Sequence, residues 1–456
     1  MLQNINKRFC NIPYLFKEVE MKDLSLYIHI PFCVRKCHYC DFLSAPCDEN
    51  TRQNYVEALC REITQRAEDF KDKKVDTIFF GGGTPSILSI EQITRIMSTV
   101  REKFQILPKA EISLEMNPGT VERKKLEVYK KLGINRLSIG LQSADNEELK
   151  VLGRIHTWES FLQTWEMVRE AGFTNVNIDL MSALPGQTLE SYENTLKKVL
   201  ALKPEHISAY SLIIEEGTRF YEWYGKEEEN YLEGKWLKKE GSFEERRLPD
   251  EVVDRQMYEL TKKLLEEKGY KRYEISNYAL EGYECKHNIG YWKRKEYLGL
   301  GLGAASLLYK KNEKDFRIGE ENARSRTKEK VKNIRCSNIS DLETYLKKTQ
   351  NMKEESLENM QKEKNRNREL WMQEYEEVSV TEQMEEFMFL GLRMMEGISS
   401  AEFEQQFGKS LQEVYGKQIQ KLVQQELLEY WEENGRYALT LKGIDVSNQV
   451  FVEFIN

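Results

Sequence analysis

From Ser25 to Ile214 the chain repeats one unit: a short apolar strand, a loop of polar or glycine residues, then an amphipathic helix. Parallel strands are joined through long crossovers that a helix fills, so this rhythm commits the segment to a parallel sheet with right-handed connections. The expected strands are 25–30, 75–80, 110–116, 135–142, 175–182 and 206–213, with helices near 51–70, 89–104, 121–132, 157–172 and 188–201. Six such units make an α/β fold of the partial (β/α)6 barrel type.

Alternation inside the strands says what the barrel encloses. Leu26, Ile28 and Ile30 oppose Tyr27 and His29; Ile112, Leu114 and Met116 oppose Ser113, Glu115 and Asn117. Leu137, Ile139 and Leu141 oppose Arg136, Ser138 and Gln142, and Val176, Ile178 and Leu180 oppose Asn177 and Asp179. Pleating puts each set on its own face. A filled barrel would be apolar on both faces, the inner as packed core and the outer under helices. Burying an unpaired polar group costs roughly 2–7 kcal/mol, and a charge more. The interior is therefore expected to hold water and a polar ligand.

The other segments differ in kind. Residues 1–24 form a lead-in without clear period, the barrel runs over 25–310, and a rim insertion rich in Glu, Lys and aromatic residues falls near 219–250. Residues 311–375 are strongly charged with few apolar anchors and read as a long exposed insertion with partial helix. In 376–456, Phe387, Leu390, Leu392, Phe403, Phe407, Ile419, Leu422 and Leu428 mark short helices before a hairpin at Tyr437–Thr440, the outline of a winged-helix-like module. It lacks a basic face, which suits a lid over the barrel mouth or a partner surface better than DNA. Over the chain, 68 basic and 76 acidic residues leave a net charge of −8, which gives no case for nucleic acid. No apolar run approaches the ~18 residues of a membrane span, so a cytoplasmic protein without a transmembrane segment is expected.

Cys33, Cys37 and Cys40, spaced C-x3-C-x2-C directly after the first strand, are the densest chemistry in the chain. Such a loop suits an iron–sulfur cube with one thiolate on each of three irons and the fourth iron open. A zinc site would need a fourth ligand such as His38, and plain buried thiols are the remaining alternative. Cys10, Cys47, Cys60, Cys285 and Cys336 are expected to be free thiols, as in a reducing compartment. After the second strand, Gly81-Gly82-Gly83-Thr84-Pro85 lets the main chain approach a ligand closely; no Gly-Lys-Ser/Thr follows, so it is not a P-loop.

The run Tyr27-x-His29-Ile30-Pro31-Phe32-Cys33-x3-Cys37-x2-Cys40 resembles the signature of the radical S-adenosylmethionine (SAM) superfamily. Within it the resemblance is to the oxygen-independent coproporphyrinogen III oxidase family and its heme chaperone branch, over residues 24–310 and more weakly from 380 onward. The resemblance implies a [4Fe-4S] cluster on Cys33, Cys37 and Cys40, SAM chelated to the open iron, and a 5'-deoxyadenosyl radical on its reductive cleavage. It also implies that Gly82, Gly83 and Thr84 contact the amino group of SAM, that Glu115, Gln142, Arg154 and Asp179 complete the SAM site, and that Tyr27 lines it. These residue types suit a ligand with an ammonium, a carboxylate and a ribose diol.

Two features point to the chaperone branch. The oxidase branch carries a further cysteine two residues past the third, where this chain has Phe42, and His287-Asn288-x-x-Tyr291-Trp292 resembles the chaperone motif H-N-x-x-Y-W. An imidazole can ligate heme iron while Tyr and Trp offer flat apolar surface, so His287 is the candidate heme residue. Tyr273–Ala279 resembles a family strand and turn near the cavity mouth. The expectation is a heme chaperone that passes heme to membrane enzymes such as respiratory oxidases, working at the inner face of the membrane, with an oligomer allowed. The alternatives are coproporphyrinogen III oxidation in porphyrin biosynthesis and a radical SAM enzyme with another substrate.

Overall fold

The computed structural model describes residues 23–225, 247–311, 331–351 and 371–455. Most of the expected lead-in, the greater part of the rim insertion, and Cys10 lie outside the described residues. Strands β1 (Asp23–Ile30), β2 (Lys74–Gly82), β3 (Gln105–Met116), β4 (Arg136–Gln142), β5 (Val176–Ser182) and β6 (His206–Ser211) lie side by side in chain order, all parallel. The helices between them start where a polar side chain can satisfy a free backbone N–H: Asp48, Ser89, Thr157 and Thr188 each accept from the first turn of the helix they precede. Those helices cover the outer face of the sheet. Leu26, Ile28, Ile78, Phe80, Leu114, Leu137, Ile139, Ile178 and Leu180 are fully buried there in one continuous core.

The sheet does not stop at six strands. Later segments add β7 (Lys271–Glu274), β8 (Asn277–Ala279), β9 (Tyr297–Leu300), β10 (Ala305–Lys311), β11 (Val331–Asn338) and β12 (Met372–Val378), in the order β12-β11-β10-β9-β1-β2-β3-β4-β5-β6-β8-β7. β9 is parallel to β1, whereas β10, β11 and β12 on one edge and β8 and β7 on the other run antiparallel to their neighbours. The outcome is an open, partial barrel with antiparallel margins.

The described parts of 311–375 correct the expectation of an exposed insertion. β11 and β12 extend the sheet, helix Leu342–Asn351 packs on helix Glu49–Arg66, and Tyr345 and Trp371 are fully buried. The anchor is polar, which is why a search for apolar residues misses it. Buried Glu62 accepts from Tyr345 Oη (2.6 Å), Asn338 Nδ2 (2.7 Å) and the Gly301 amide (2.9 Å), tying this segment to the turn after β9.

Tyr273–Ala279 spans the lower half of the barrel: β8 runs antiparallel to β6 with Ala279 opposite His206 at the strands' N-terminal end, the barrel floor, and Asn277 opposite Ser208, the neighbour of Asp179. The C-terminal module docks on that same floor. Helices Val380–Gly391, Ser400–Phe407 and Leu411–Gln424 with β13 (Ile398–Ser399), β14 (Leu428–Trp431) and β15 (Arg436–Leu439), in the order β13-β15-β14, give the winged-helix outline. The module is held by a buried Arg294–Glu386 pair at 2.7 Å, by Arg393 stacked 4.4 Å above the Trp292 ring, and by the Met395 amide donating to Tyr273 O at 3.0 Å. It closes the floor, not the mouth.

If 371–378 is part of the barrel, Trp371→Ala removes a buried ring and its 3.0 Å bond to Gln65. Chemical denaturation is expected to show a loss of about 3–5 kcal/mol; a loss below about 1 kcal/mol, the range of surface substitutions, would place Trp371 outside the core.

Candidate functional site

β1 delivers the three thiols onto a loop that the rest of the barrel mouth clamps. The Cys33 amide donates to Ala45 O (3.2 Å), the Ala45 amide to Pro31 O (3.0 Å), the His38 amide to Leu152 O (3.0 Å) and the Phe220 amide to His38 O (3.0 Å). Side chains add to this: Arg35 donates to Gly153 O at 2.7 Å, and His29 Nε2 bonds Leu43 O at 2.9 Å. Cys33, Cys37 and Cys40 are all free thiols, the first buried and the others half-buried. Burial pushes the Cys33 and Cys40 thiols up, so a metal must displace their protons on binding.

The donor set fits an iron–sulfur cluster better than zinc. His38, the fourth ligand a zinc site would recruit, turns Nδ1 to Val151 O (3.0 Å) and packs its ring against Trp223. Among the described residues no three His, Cys, Asp or Glu side chains converge on a single-ion site. A cluster with a separate iron for each thiolate does not require that convergence.

The glycine turn follows β2 and lies directly beside β1. Gly82 has φ +108°, and a Cβ there would lie 2.5 Å from the His29 ring; one on Gly83 would lie 2.5 Å from Phe32 O. Only glycine permits both the backbone angle and the approach. The Gly83 amide donates to Ile30 O (2.9 Å), the Thr84 amide to Phe32 O (2.7 Å), and the Gly82 amide to Glu115 Oε2 (3.2 Å). Thr84 Oγ1 accepts from Asn117 Nδ2 at 2.9 Å; Asn117 Oδ1 in turn accepts from Arg154 at 2.7 Å. Arg154 also donates to Gly140 O and, at 3.7 Å, to Cys37 Sγ. A chain of contacts thus runs from the glycine turn to a cluster-loop thiol.

Register brings the remaining inward residues together. Glu115 pairs with Ser138, Gly140 with Asp179, and a bulge at Gly140–Gln142 leaves Gln142 at φ +72°, where its Oε1 accepts from Tyr210 Oη at 3.3 Å. Asp179 accepts from Ser138 (3.1 Å) and Asn177 (2.8 Å), yet burial still raises its pKa. Burial, and then the charge of Asp179, push Glu115 up to about 8 against the opposing Gly82 N–H. Tyr27 donates to His29 Nδ1 at 3.0 Å once Nε2 carries the proton given to Leu43 O; burial and then Glu115 raise its phenol pKa.

His287 stands apart from this set. It begins a floor helix, Lys286–Trp292, is 1% exposed, and has both ring nitrogens engaged: Nδ1 with Thr77 Oγ1 (2.8 Å) and Nε2 with Tyr291 Oη (2.9 Å). Burial, and then the charges of Lys295 and Arg136, push it down to about 3, so it is neutral. Its link to the mouth is aromatic, His287 on Phe79 (5.1 Å) and Phe79 on Tyr27 (6.3 Å).

The structure adds Asn117 and Tyr210 to the expected site. Asn117 shares the inward parity of Glu115, which a reading of parity alone would have found; Tyr210, at the end of β6, carries no motif. Part of the lower tier is satisfied internally: His206 bonds Asn177 (2.6 Å) and Tyr273 (2.9 Å), and Asn177 donates to Ser138 (2.7 Å). Ser113 Oγ and Arg136 Nε are buried in the same tier without a protein partner.

The raised Glu115 pKa makes the ligand-free protein sensitive to pH. For a carboxyl with a folded pKa near 8 and an ordinary value of 4.5, the stabilisation is complete below 4.5 and is lost as pH rises through about 8. Thermal unfolding from pH 5 to 8.5 is expected to show falling stability in the wild type and a shallower fall in Glu115→Gln, with Asp179 supplying the residual slope.

With this geometry in view, comparison with known proteins is decisive. Residues 27–199 match the Radical SAM superfamily model and residues 378–446 the HemN C-terminal domain model. A radical SAM domain carries a [4Fe-4S] cluster and SAM, and the residues at the mouth fit both. The fold resembles that of coproporphyrinogen III oxidase (HemN) from Escherichia coli, a radical SAM enzyme, with a TM-score of 0.70 at 23% identity over 95% of this chain and 90% of that one. Among sequence relatives, the heme chaperone HemW of Lactococcus lactis is 34% identical over 95% of this chain and 98% of its own length, and that of Bacillus subtilis 33% identical over 94% and 99%. The heme chaperone HemW of Escherichia coli is 39% identical over 63% of this chain and 70% of its own. Similarity that runs end to end at this level is shared descent, and the chain belongs to the heme chaperone HemW family of radical SAM proteins.

Proposed function

We propose that this protein binds heme and delivers it to heme-dependent respiratory enzymes, with a [4Fe-4S] cluster and SAM as resident cofactors. The observation that carries the reading is end-to-end similarity to proteins named heme chaperones, joined to Phe42 at the position where the oxidase branch carries a cysteine. In this reading the barrel, 25–310, carries the cofactors and the 376–456 module braces its floor. Cys33, Cys37 and Cys40 hold the cluster. Gly82, Gly83, Thr84 and Glu115 face the amino group of SAM, Arg154 its carboxylate, Gln142 and Asp179 its ribose, and Tyr27 lines the wall.

When bound, the cluster and SAM supply one-electron chemistry at the mouth; the chain's own residues orient and shield. Glu115 is a half-buried acid, pushed up to about 8, that a cationic ligand would restore to a carboxylate, so SAM binding is expected to release protons below pH 8. Delivery to membrane enzymes would bring the protein to the membrane surface; among the described residues no helix is long and apolar enough to cross a membrane. For His287 the proposed part is indirect. It fixes the floor helix, and its Nε2 would have to release the Tyr291 hydroxyl before it could meet iron.

The second reading is coproporphyrinogen III oxidation, favoured by the shared fold alone. Anaerobic titration of the cluster-loaded protein with heme, followed at the Soret band, separates the two. Saturable binding near one heme per chain, with no turnover of coproporphyrinogen under SAM and reductant, is expected; turnover without heme binding would reverse the assignment.

A further inference from the structure

The heme reading leaves open where the macrocycle sits, since the motif histidine is sealed in the floor. The cluster loop offers a surface of the opposite character. Val34, Phe42 and Ile155 are 59%, 58% and 57% exposed, and Leu43 is 39% exposed, an unusual concentration of apolar side chains in water. They are held near one another: Arg35 bonds the carbonyls of Gly153 and Arg154, next to Ile155, and Lys36 Nζ bonds Phe42 O at 3.1 Å. Val34 and Ile155 also border one cleft, which opens onto Cys37 and Arg154. Arg35 and Lys36 are exposed beside this apolar group and retain free N–H donors, against a single carboxylate, Asp41, on the same stretch.

We propose that this patch, formed by Val34, Phe42, Leu43 and Ile155 with Arg35 and Lys36, is the heme-docking surface, with the macrocycle face on the apolar side chains and the propionates on the two cations. The inference rests on the heme-binding reading and locates its ligand. An apolar plane edged by carboxylates matches what the loop presents: flat hydrophobic area with positive charge at its border. Heme would lie outside the barrel over the cluster loop, leaving the interior to SAM. Phe42 then has a positive role as the ring on which the macrocycle rests.

The test is a heme titration of the cluster-loaded protein in the wild type, Phe42→Ser, the double variant Val34→Ser/Ile155→Ser and His287→Ala, with iron content and the reduced-cluster EPR signal recorded for each. The docking surface predicts that the two rim variants weaken heme binding about tenfold or more with cluster signals intact, while His287→Ala keeps the wild-type Soret maximum and binds within about threefold. Heme dimethyl ester, which lacks the carboxylates, should bind the wild type less tightly than heme, and Lys36→Gln should narrow that gap. Rim variants that bind like the wild type, or a Soret shift in His287→Ala, would overturn the proposal while leaving the chaperone reading in place. Failure of the wild type to bind heme would overturn both. Should a rim variant lose its cluster, the ester comparison on the wild type and Lys36→Gln decides, equal affinity for heme and ester counting against the surface.

Discussion

The structure turns on one carboxylate beneath the barrel. Glu111, on the inward face of β3, accepts from the amides of Lys286 (3.1 Å) and His287 (3.2 Å) and from the Cys285 thiol (3.6 Å), so it holds the start of the floor helix inside the open end of the sheet. A negative group at a helix N-terminus satisfies free donors and favours the local dipole. Three things follow from this contact. The floor is sealed, the aromatic column His287–Phe79–Tyr27 is set, and Trp292 is turned outward to meet Arg393 of the C-terminal module. The segment that carries the His287 motif also forms, in space, the joint between barrel and module.

Much of the fold was legible because its determinants are periodic. Strands β1 to β6 were read within a few residues at each end, from period-two alternation bounded by polar caps, and the winged-helix outline from its short apolar helices. What was not legible is held by groups that leave no periodic trace. β11 and helix Leu342–Asn351 are anchored through Glu62, Asn338 and Tyr345, and a buried carboxylate looks in sequence like any exposed one. The end of the barrel to which a segment docks is likewise invisible until strand register is known; His206 opposite Ala279 is the contact that fixes the floor end of β8.

The candidate site divides in the same way. The cysteine spacing and the inward parity of Tyr27, Glu115 and Asp179 were sufficient to gather the mouth, and the glycine turn is explained by the close approach of His29 and Phe32. Parity counts polar residues without counting their partners, and some of the inward groups pair with one another. Asn177, His206 and Tyr273 satisfy one another. The tier nearest the thiols holds two acids, Glu115 and Asp179, whose pKa values are both raised.

These two acids explain why this mouth should select a cationic ligand. Glu115 and Asp179 lie half-buried and close enough for one charge to act on the other; the guanidinium of Arg136 and the Gly82 amide offset them only in part, and Glu115 still stands near 8. Two carboxyls so placed cannot both ionise cheaply until a positive charge joins them. An ammonium or sulfonium entering from the mouth supplies it, while a neutral or anionic molecule does not. Arg154, tied to Asn117 and Cys37, presents a guanidinium beside the same opening. Heme carries its charge as carboxylates at one edge of an apolar plane, and on the docking proposal these meet the cations on the outer face of the cluster loop rather than the acids of the mouth.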